Sequence, residues 1–145
     1  MGFCAQGVEI DWAACKIGEK VYGLERKQIM QSDAVEFLRT SNRSYDVVSC
    51  FSLLHHFVMG SAYVSAQEMM RLLDDKTRYV LFLDMGQDHE EWFRDRLRGW
   101  NSDFIEEWLK KNTSFKTIHR LGADSDNVPP FENNYGRTLF ACTRS

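Results

Sequence analysis

Apolar and polar positions along the chain alternate between two kinds of segment. Short runs rich in β-branched and aromatic side chains predict strands, and longer segments with apolar residues three or four positions apart predict helices between most of them. The pattern therefore predicts a chain of alternating strands and helices. The predicted strands cover residues 5–10, 28–31, 45–51, 78–84, 115–120 and 137–143.

Polar capping residues mark the starts of the first two predicted helices. Asp11 precedes a helix over residues 12–20, because its side chain is placed to accept a free amide hydrogen of the first turn. Ser32 or Asp33 caps a second helix, which runs to about Arg39. Each of these helices follows a predicted strand directly.

Three further helices are predicted beyond residue 60. Residues 62–73 carry one broad apolar face, and residues 88–100 and 101–112 form two amphipathic segments, the last capped by Asn101 or Ser102. Crossover helices of this length favour a mostly parallel sheet with helices on both faces. The polar loop between the last two strands predicts instead that they form an antiparallel C-terminal hairpin.

Composition fits one domain over residues 1–145 and narrows the set of partners. With 43% hydrophobic and 13% aromatic residues, the chain has the material for a core. A net charge of −3 gives no basic footprint for nucleic acid, so we do not expect a nucleic-acid partner. No apolar run approaches the ~18 residues of a membrane span, and no secretory signal is evident, so we expect no membrane partner either.

The four cysteines predict a reducing compartment. Cys4, Cys15, Cys50 and Cys142 are scattered, without a CxxC pair or a Cys/His pair at zinc spacing. We interpret them as reduced thiols of a cytoplasmic protein.

Polar residues follow several of the predicted strands at the point where each strand ends. In open parallel sheets, ligands bind beyond the carboxyl ends of the strands, so these residues are the candidates for a site. Consecutive strand ends thus present acidic or polar groups at one rim. The first strand carries Glu9 and Asp11, the second carries Ser32, Asp33 and Ala34, the third carries Ser52 to His56, and the fourth carries Asp84.

This series resembles the class I S-adenosylmethionine-dependent methyltransferases, which have a Rossmann-like α/β fold. "GVEID" is similar to the strand whose terminal acid, here Glu9, accepts both ribose hydroxyls of the cofactor. "QSDAVEFL" is similar to the loop whose aspartate, here Asp33 beside Ala34, contacts adenine. "YDVVSCFSLLHH" resembles the fourth strand and the loop after it, which adds Ser52, and "GRTLFAC" resembles the closing hairpin. The resemblance implies S-adenosylmethionine as the cofactor.

The adjacent histidines His55 and His56 are the candidate catalytic residues. Neighbours on a strand point to opposite sides, and on a loop they need not converge, so they make a poor metal pair and we predict no metal site. Either one is a candidate general base, substrate hydrogen-bonder or packing residue. A metal-dependent hydrolase, the competing enzyme class, requires both to converge with Asp84 at ~2.0–2.2 Å from one metal.

The loop before the last strand is a further candidate. "DNVPPFENNYGR" carries Asn133, Asn134, Tyr135 and Arg137 behind two prolines that stiffen it. It either shapes a polar acceptor pocket or serves only as a stiff hairpin connection.

The glycine-rich "DxGxGxG"-like turn of the resembled family does not occur in this sequence. Gly2 and Gly7 are too few and lie on the wrong side of the strand that ends at Glu9. We therefore expect an incomplete fold, truncated at its N-terminus and lacking a central first strand. Three explanations compete: a truncation, a natural remnant that lost cofactor binding, and a chain completed by a partner, such as a homo-oligomer that covers the exposed sheet edge.

The function that these expectations favour is methyl transfer from S-adenosylmethionine to a small-molecule acceptor, by a methyltransferase or a fragment of one. The acceptor class is motivated by the low basicity of the chain and by the lack of an added nucleic-acid-binding segment. The alternative is a non-catalytic remnant of the same ancestry that acts as an interaction or structural protein.

Overall fold

A computed structural model describes residues 4–145, and these fall into two compact units. The first unit extends to Asn42 and the second is Arg43–Ser145. Strands occur at all six predicted places, with ends that differ by no more than a few residues. Within residues 4–145, no helix has the length and apolar character that crossing a bilayer requires.

The first unit is a βαβα segment whose two short strands pair in parallel, with Gly7 opposite Ile29 and Glu9 opposite Gln31. Asp11 and Asp33 cap its helices as predicted, each accepting a hydrogen bond from the amide three residues later, at 2.8 and 2.9 Å. Asp33 rather than Ser32 is therefore the cap of the second helix. The elements are β1 (Gly7–Glu9), α1 (Trp12–Val21), β2 (Ile29–Gln31) and α2 (Ala34–Thr40).

The second unit is built on a four-stranded sheet of order β3-β4-β6-β5. β3 pairs with β4 in parallel, whereas β6 runs antiparallel to both β4 and β5. The predicted antiparallel hairpin is thus confirmed, and the pairing is more mixed than a mostly parallel sheet. The elements are β3 (Tyr45–Cys50), α3 (Leu54–Val58), α4 (Ala66–Lys76), β4 (Thr77–Leu83), α5 (Ser102–Asn112), β5 (Thr117–Ala123) and β6 (Thr138–Thr143).

The core of this unit lies where the two middle strands meet helices α4 and α5. Alternate residues of β4, Leu81 and Leu83, are fully buried because successive side chains of a strand point to opposite faces. Each such side chain contributes roughly 1.5–3 kcal/mol when it leaves water. Its buried neighbours from the other elements are Phe140, Cys142, Met69, Met70, Leu73, Ile105 and Leu109.

The helix predicted over residues 88–100 is wrong, because the structure has a run of turns there. Local bonds such as Leu97 N to Phe93 O, at 2.7 Å, stay isolated, and Gly99 has a positive φ of 80°. Within this segment the side chain of Glu90 is fully buried rather than exposed. The donors to its carboxylate are the amides of Gln87 and Tyr135 and the guanidinium of Arg137, all of which lie outside residues 88–100.

Two other element boundaries differ from the prediction. The loop expected after the third strand contains the one-turn helix α3, so both histidines lie on a helix. Helix α4 begins at Ala66 rather than at residue 62, because Ser65 caps it by accepting a bond from the amide of Glu68 at 3.1 Å. The single domain and the helices on both faces remain predictions.

Candidate functional site

The ends of β3 and β4 bring Ser52 and Asp84 together, as expected for parallel strands that end at one edge of a sheet. The Ser52 amide donates to Asp84 Oδ1 at 2.8 Å, and the Asp84 amide donates to Cys50 O at 3.3 Å. Ser52 has a φ of 52°, in the left-handed region that is uncommon for residues other than glycine. Its bond to Asp84 helps to hold that conformation.

Arg137 joins the same rim from the other direction, because β6 is antiparallel and therefore begins where β3 and β4 end. Its guanidinium donates to Ser52 Oγ at 2.7 Å through Nη1 and lies 4.0 Å from Asp84 Oδ1. Only 4% of Arg137 is exposed. The rim thus holds one buried cation between residues from three strand ends.

Glu90 is the counter-ion of Arg137. The guanidinium donates through Nε to both carboxylate oxygens, at 3.0 and 3.1 Å, and through Nη2 to Oε2 at 2.8 Å. The amides of Gln87 and Tyr135 also donate to this carboxylate, at 2.7 and 3.0 Å. Burial alone would lower the pKa of Arg137, but the bonds and charge of Glu90 hold that pKa above its ordinary value.

Two further carboxylates lie at this rim. Burial raises the pKa of Asp84, against the lowering effects of the Ser52 amide and of Arg137. Burial also acts to raise the pKa of Asp124, but the amides of Arg137, Asp126 and Gly136 donate to that carboxylate and bring its pKa below the ordinary value. Asp124 therefore stays ionised while it fixes the loop that precedes β6.

The two candidate catalytic histidines differ in environment. His55 is buried, its Nδ1 accepts a bond from the Gly86 amide at 3.1 Å, and its ring centroid is 4.7 Å from that of Phe93. Burial, followed by the charges of His56 and Arg137, lowers the pKa of His55 to about 4. His56 is exposed, with its ring centroid 4.3 Å from that of His55. At neutral pH His55 is uncharged, with its proton on Nε2.

The cofactor candidates of the first unit lie at the ends of its paired strands. Glu9 ends β1, and its Oε1 accepts a bond from the Asp11 amide at 2.8 Å. Asp33 follows β2 and caps α2, of which Ala34 is the first residue. The Ser32 amide donates to Glu9 O at 3.0 Å, so these two strand ends are adjacent.

A cleft of about 280 Å³ opens at the carboxyl-end rim of the second unit. Its apolar lining includes Phe51, Leu121 and Leu139, and its charged lining is Asp84, Asp124 and Arg137. Across residues 4–145, no three His, Cys, Asp or Glu side chains are grouped so that they could hold a metal ion. The metal-dependent hydrolase hypothesis gains no support from this geometry.

Sequence reasoning missed Glu90 and Asp124 and left Arg137 as one residue of a loop with two possible roles. Glu90 sits among other charged residues in "DHEEWFRDRLRGW", where nothing distinguishes it from solvated neighbours. Its partner lies 47 positions further along the chain. The weak signal available was the position of Arg137 as the first residue of a strand predicted to be antiparallel.

These features define a class I methyltransferase-like α/β fold: parallel β/α segments first, then a closing strand that runs antiparallel between its neighbours. Solved methyltransferases share it. The bifunctional kinase-methyltransferase WbdD matches with a TM-score of 0.67 at 12% identity, over 95% of this chain and 29% of that chain. A SAM-dependent methyltransferase from Archaeoglobus fulgidus matches with a TM-score of 0.62 at 13% identity, over 94% of this chain and 74% of that chain.

A third similar structure is that of magnesium protoporphyrin IX methyltransferase (ChlM) from Synechocystis PCC 6803 with bound SAM. Its TM-score is 0.58 at 21% identity, over 97% of this chain and 59% of that chain. The present chain therefore spans less than a third of WbdD and about three fifths of ChlM. No protein-family model matches the chain, and neither does any curated protein. At these identities the likeness establishes the fold.

Proposed function

We propose that this chain is a methyltransferase domain, or the larger part of one, that transfers a methyl group from S-adenosylmethionine to a small-molecule acceptor. The observation that carries the proposal is the fold likeness to three methyltransferases, which extends over 94–97% of the chain. The free thiols of Cys4, Cys15, Cys50 and Cys142 favour the cytoplasm as its location.

For the adenosine part of the cofactor we propose Glu9 and Asp33 with Ala34. Oε2 of Glu9 accepts no hydrogen bond from any residue between 4 and 145, so it is free to accept from a ribose diol. Charge-assisted bonds of this kind are roughly twice as strong as neutral ones and select a ribose over compounds without the diol. Asp33 serves as helix cap and adenine contact together, since a carboxylate has several acceptor positions.

For the acceptor side we propose the residues around the second unit's rim, with Ser52 toward the cofactor and the histidines toward the acceptor. His56 is the better candidate for a proton acceptor, because it is exposed. His55 is a weak base with its pKa near 4, and its bond to the Gly86 amide gives it a positioning role. The bound sulfonium supplies the methyl group for an in-line displacement, which depends mainly on alignment.

The methionine part of the cofactor requires a glycine-rich loop, and these 145 residues contain no such motif. We therefore propose that the strand and glycine-rich loop for this part of the cofactor come from a segment outside these residues or from a second copy of the chain. β3 stands at one end of the strand order β3-β4-β6-β5 in the described part of the chain, which makes it the place for that strand to pair.

Calorimetric titration with S-adenosylmethionine and S-adenosylhomocysteine tests the proposal. Replacing Glu9 by glutamine should weaken binding at least about tenfold, because a charged hydrogen bond contributes about 1.5–3 kcal/mol. Asp33→Asn should weaken it by a similar factor while keeping the cap, since asparagine caps helices as well as aspartate. Asp11→Asn is the matched control, because asparagine keeps the helix cap and Asp11 lies outside the proposed contacts, and it should change affinity less than twofold.

A folded chain that gives no heat at millimolar ligand would contradict the proposal and favour the non-catalytic alternative. Equal losses in Glu9→Gln and Asp11→Asn would contradict the assignment of the ribose contact. Circular dichroism of each variant establishes that it is folded.

A further inference from the structure

The cleft at the second unit's rim combines apolar walls with an excess of negative charge. Phe51, which is 51% exposed, belongs to the apolar lining together with Leu121 and Leu139. Its volume of about 280 Å³ is close to the lower end of the range for small-molecule sites. A ligand of roughly the size of a substituted benzene ring fits such a space.

The one cation in the lining is already neutralised. Arg137 directs Nε and Nη2 to the Glu90 carboxylate and Nη1 to Ser52 Oγ. Because the Glu90 carboxylate is fully buried and accepts from the guanidinium through both oxygens, it compensates Arg137 within the protein. The charge that a ligand meets in the cleft is therefore that of Asp84 and Asp124.

The two carboxylates differ in how many of their oxygen atoms already accept hydrogen bonds. Asp124 Oδ1 accepts from the amides of Asp126 and Gly136, and its Oδ2 accepts from the Arg137 amide, so both oxygens are in use. Asp84 Oδ1 accepts from the Ser52 amide, but Asp84 Oδ2 accepts from no residue of the described chain. Asp84 is thus a partly buried acceptor with one oxygen left for a donor.

We propose that the cleft binds the ammonium end of a small organic cation at Asp84 Oδ2, with the apolar part of the ligand against Phe51 and Leu139. The anionic wall disfavours carboxylates, and it favours an ammonium over a neutral isostere, because both can donate to Asp84 but only the ammonium carries the opposite charge. The identification of this cation as the methyl acceptor, an amine, rests on the proposed function. Binding of the cation itself does not.

The experiment is an NMR titration of the chain, without S-adenosylmethionine, at neutral pH. Its probes are benzylamine, benzyl alcohol and benzoate, which share one ring and differ in charge. We expect benzylamine to bind at least about tenfold more tightly than the alcohol, because only the ammonium carries a charge opposite to that of the carboxylates, with benzoate weakest. The shifted amide signals should include those of Ser52, Phe51 and Asp84.

Asp84→Asn should remove most of the preference for benzylamine, while the amide keeps an oxygen for the Ser52 bond. The matched control is Asp46→Asn, since Asp46 is an exposed carboxylate that pairs with Arg78 away from the cleft lining. A second variant, Phe51→Lys, places a positive charge in the lining of the cleft at an exposed position. Because this charge attracts carboxylates and repels ammonium groups, benzoate should become the preferred probe. This variant tests the proposal even where Asp84→Asn does not fold.

Equal affinity for the three probes, tighter binding of benzoate to the unmodified chain, or no binding of any probe at millimolar concentration would each overturn the proposal. So would an unchanged preference in both variants. Failure of S-adenosylhomocysteine binding leaves the cation preference intact, so the two proposals fail separately.

Discussion

Replacing Glu90 by glutamine is expected to destabilise the second unit more than any single change on its surface. The glutamine amide is nearly isosteric, so the change removes charge without leaving a cavity. It places an NH₂ group where one carboxylate oxygen accepted bonds. Oε1 accepts from the Gln87 amide and Arg137 Nε, and Oε2 accepts from the Tyr135 amide and Arg137 Nη2. In either orientation of the glutamine amide, its NH₂ group therefore faces two hydrogen-bond donors.

The magnitude follows from burial. Arg137 is 4% exposed and Glu90 is 0% exposed, so the variant leaves a guanidinium inside the protein without its counter-ion. Breaking a buried pair in this way costs about 3–5 kcal/mol. Asp84 offsets part of that cost, but its Oδ1 is 4.0 Å from Nη1, too far for a direct hydrogen bond. Against a typical domain stability of about 5–15 kcal/mol, the loss is a large fraction.

The assay is urea unfolding of the full chain, followed by near-ultraviolet circular dichroism. With a slope of about 2 kcal/mol per molar urea, the midpoint should fall by about 2 M. The matched control is Asp75→Asn, which breaks the exposed Arg71–Asp75 pair and should cost no more than about 0.5 kcal/mol. Glu90→Leu with Arg137→Met should recover part of the loss, because apolar residues of similar size replace a buried pair well while the amides of Gln87 and Tyr135 lose their acceptor. A cost below about 1 kcal/mol for Glu90→Gln would refute the reasoning.

Two other predictions concern residues beside this pair. Gly86→Ala should lower the free energy of unfolding by about 1–3 kcal/mol in urea, because the added Cβ would lie 2.6 Å from two ring carbons of Phe93. The control is Gly7→Ala, whose added Cβ would lie 3.7 Å from its nearest atom. An equal effect of the two changes would contradict the clash. The lowered pKa of His55 means that stability is fully present above its unfolded pKa of about 6.5 and falls, by about 1–3 kcal/mol, as pH drops toward 4. NMR titration of the His55 ring checks this, and a midpoint near 6.5 would contradict it.

The strands and caps were predictable because their signals are local. Leu81 and Leu83 alternate with polar or less buried neighbours within one short run, which is the signature of a strand. Asp11 and Asp33 each contact an amide only three residues away, so capping depends on sequence within a single turn. The position of Ser52 near Asp84 also followed, once parallel strands were assumed.

The centre of the rim was not predictable in the same way. Glu90 and Arg137 meet across 47 positions, and neither has a neighbour in sequence that distinguishes a buried charge from a solvated one. The apolar spacing of Phe93 and Leu97 is that of a helix, although the segment consists of turns around a fully buried Glu90. Tertiary contacts overrode a helical pattern here, as weak local preferences allow.

A buried ion pair contributes little net stability compared with apolar packing of the same volume, so the effect of the Glu90–Arg137 pair is better sought in geometry. Arg137 directly precedes β6, donates to Ser52 after β3, and approaches Asp84 after β4. One guanidinium therefore fixes three chain segments at a single edge. That arrangement supports the left-handed conformation of Ser52 and uses only one oxygen of Asp84, which lines the cleft. An apolar substitute can fill the same space, but it has no directional bonds with which to hold a binding edge in register.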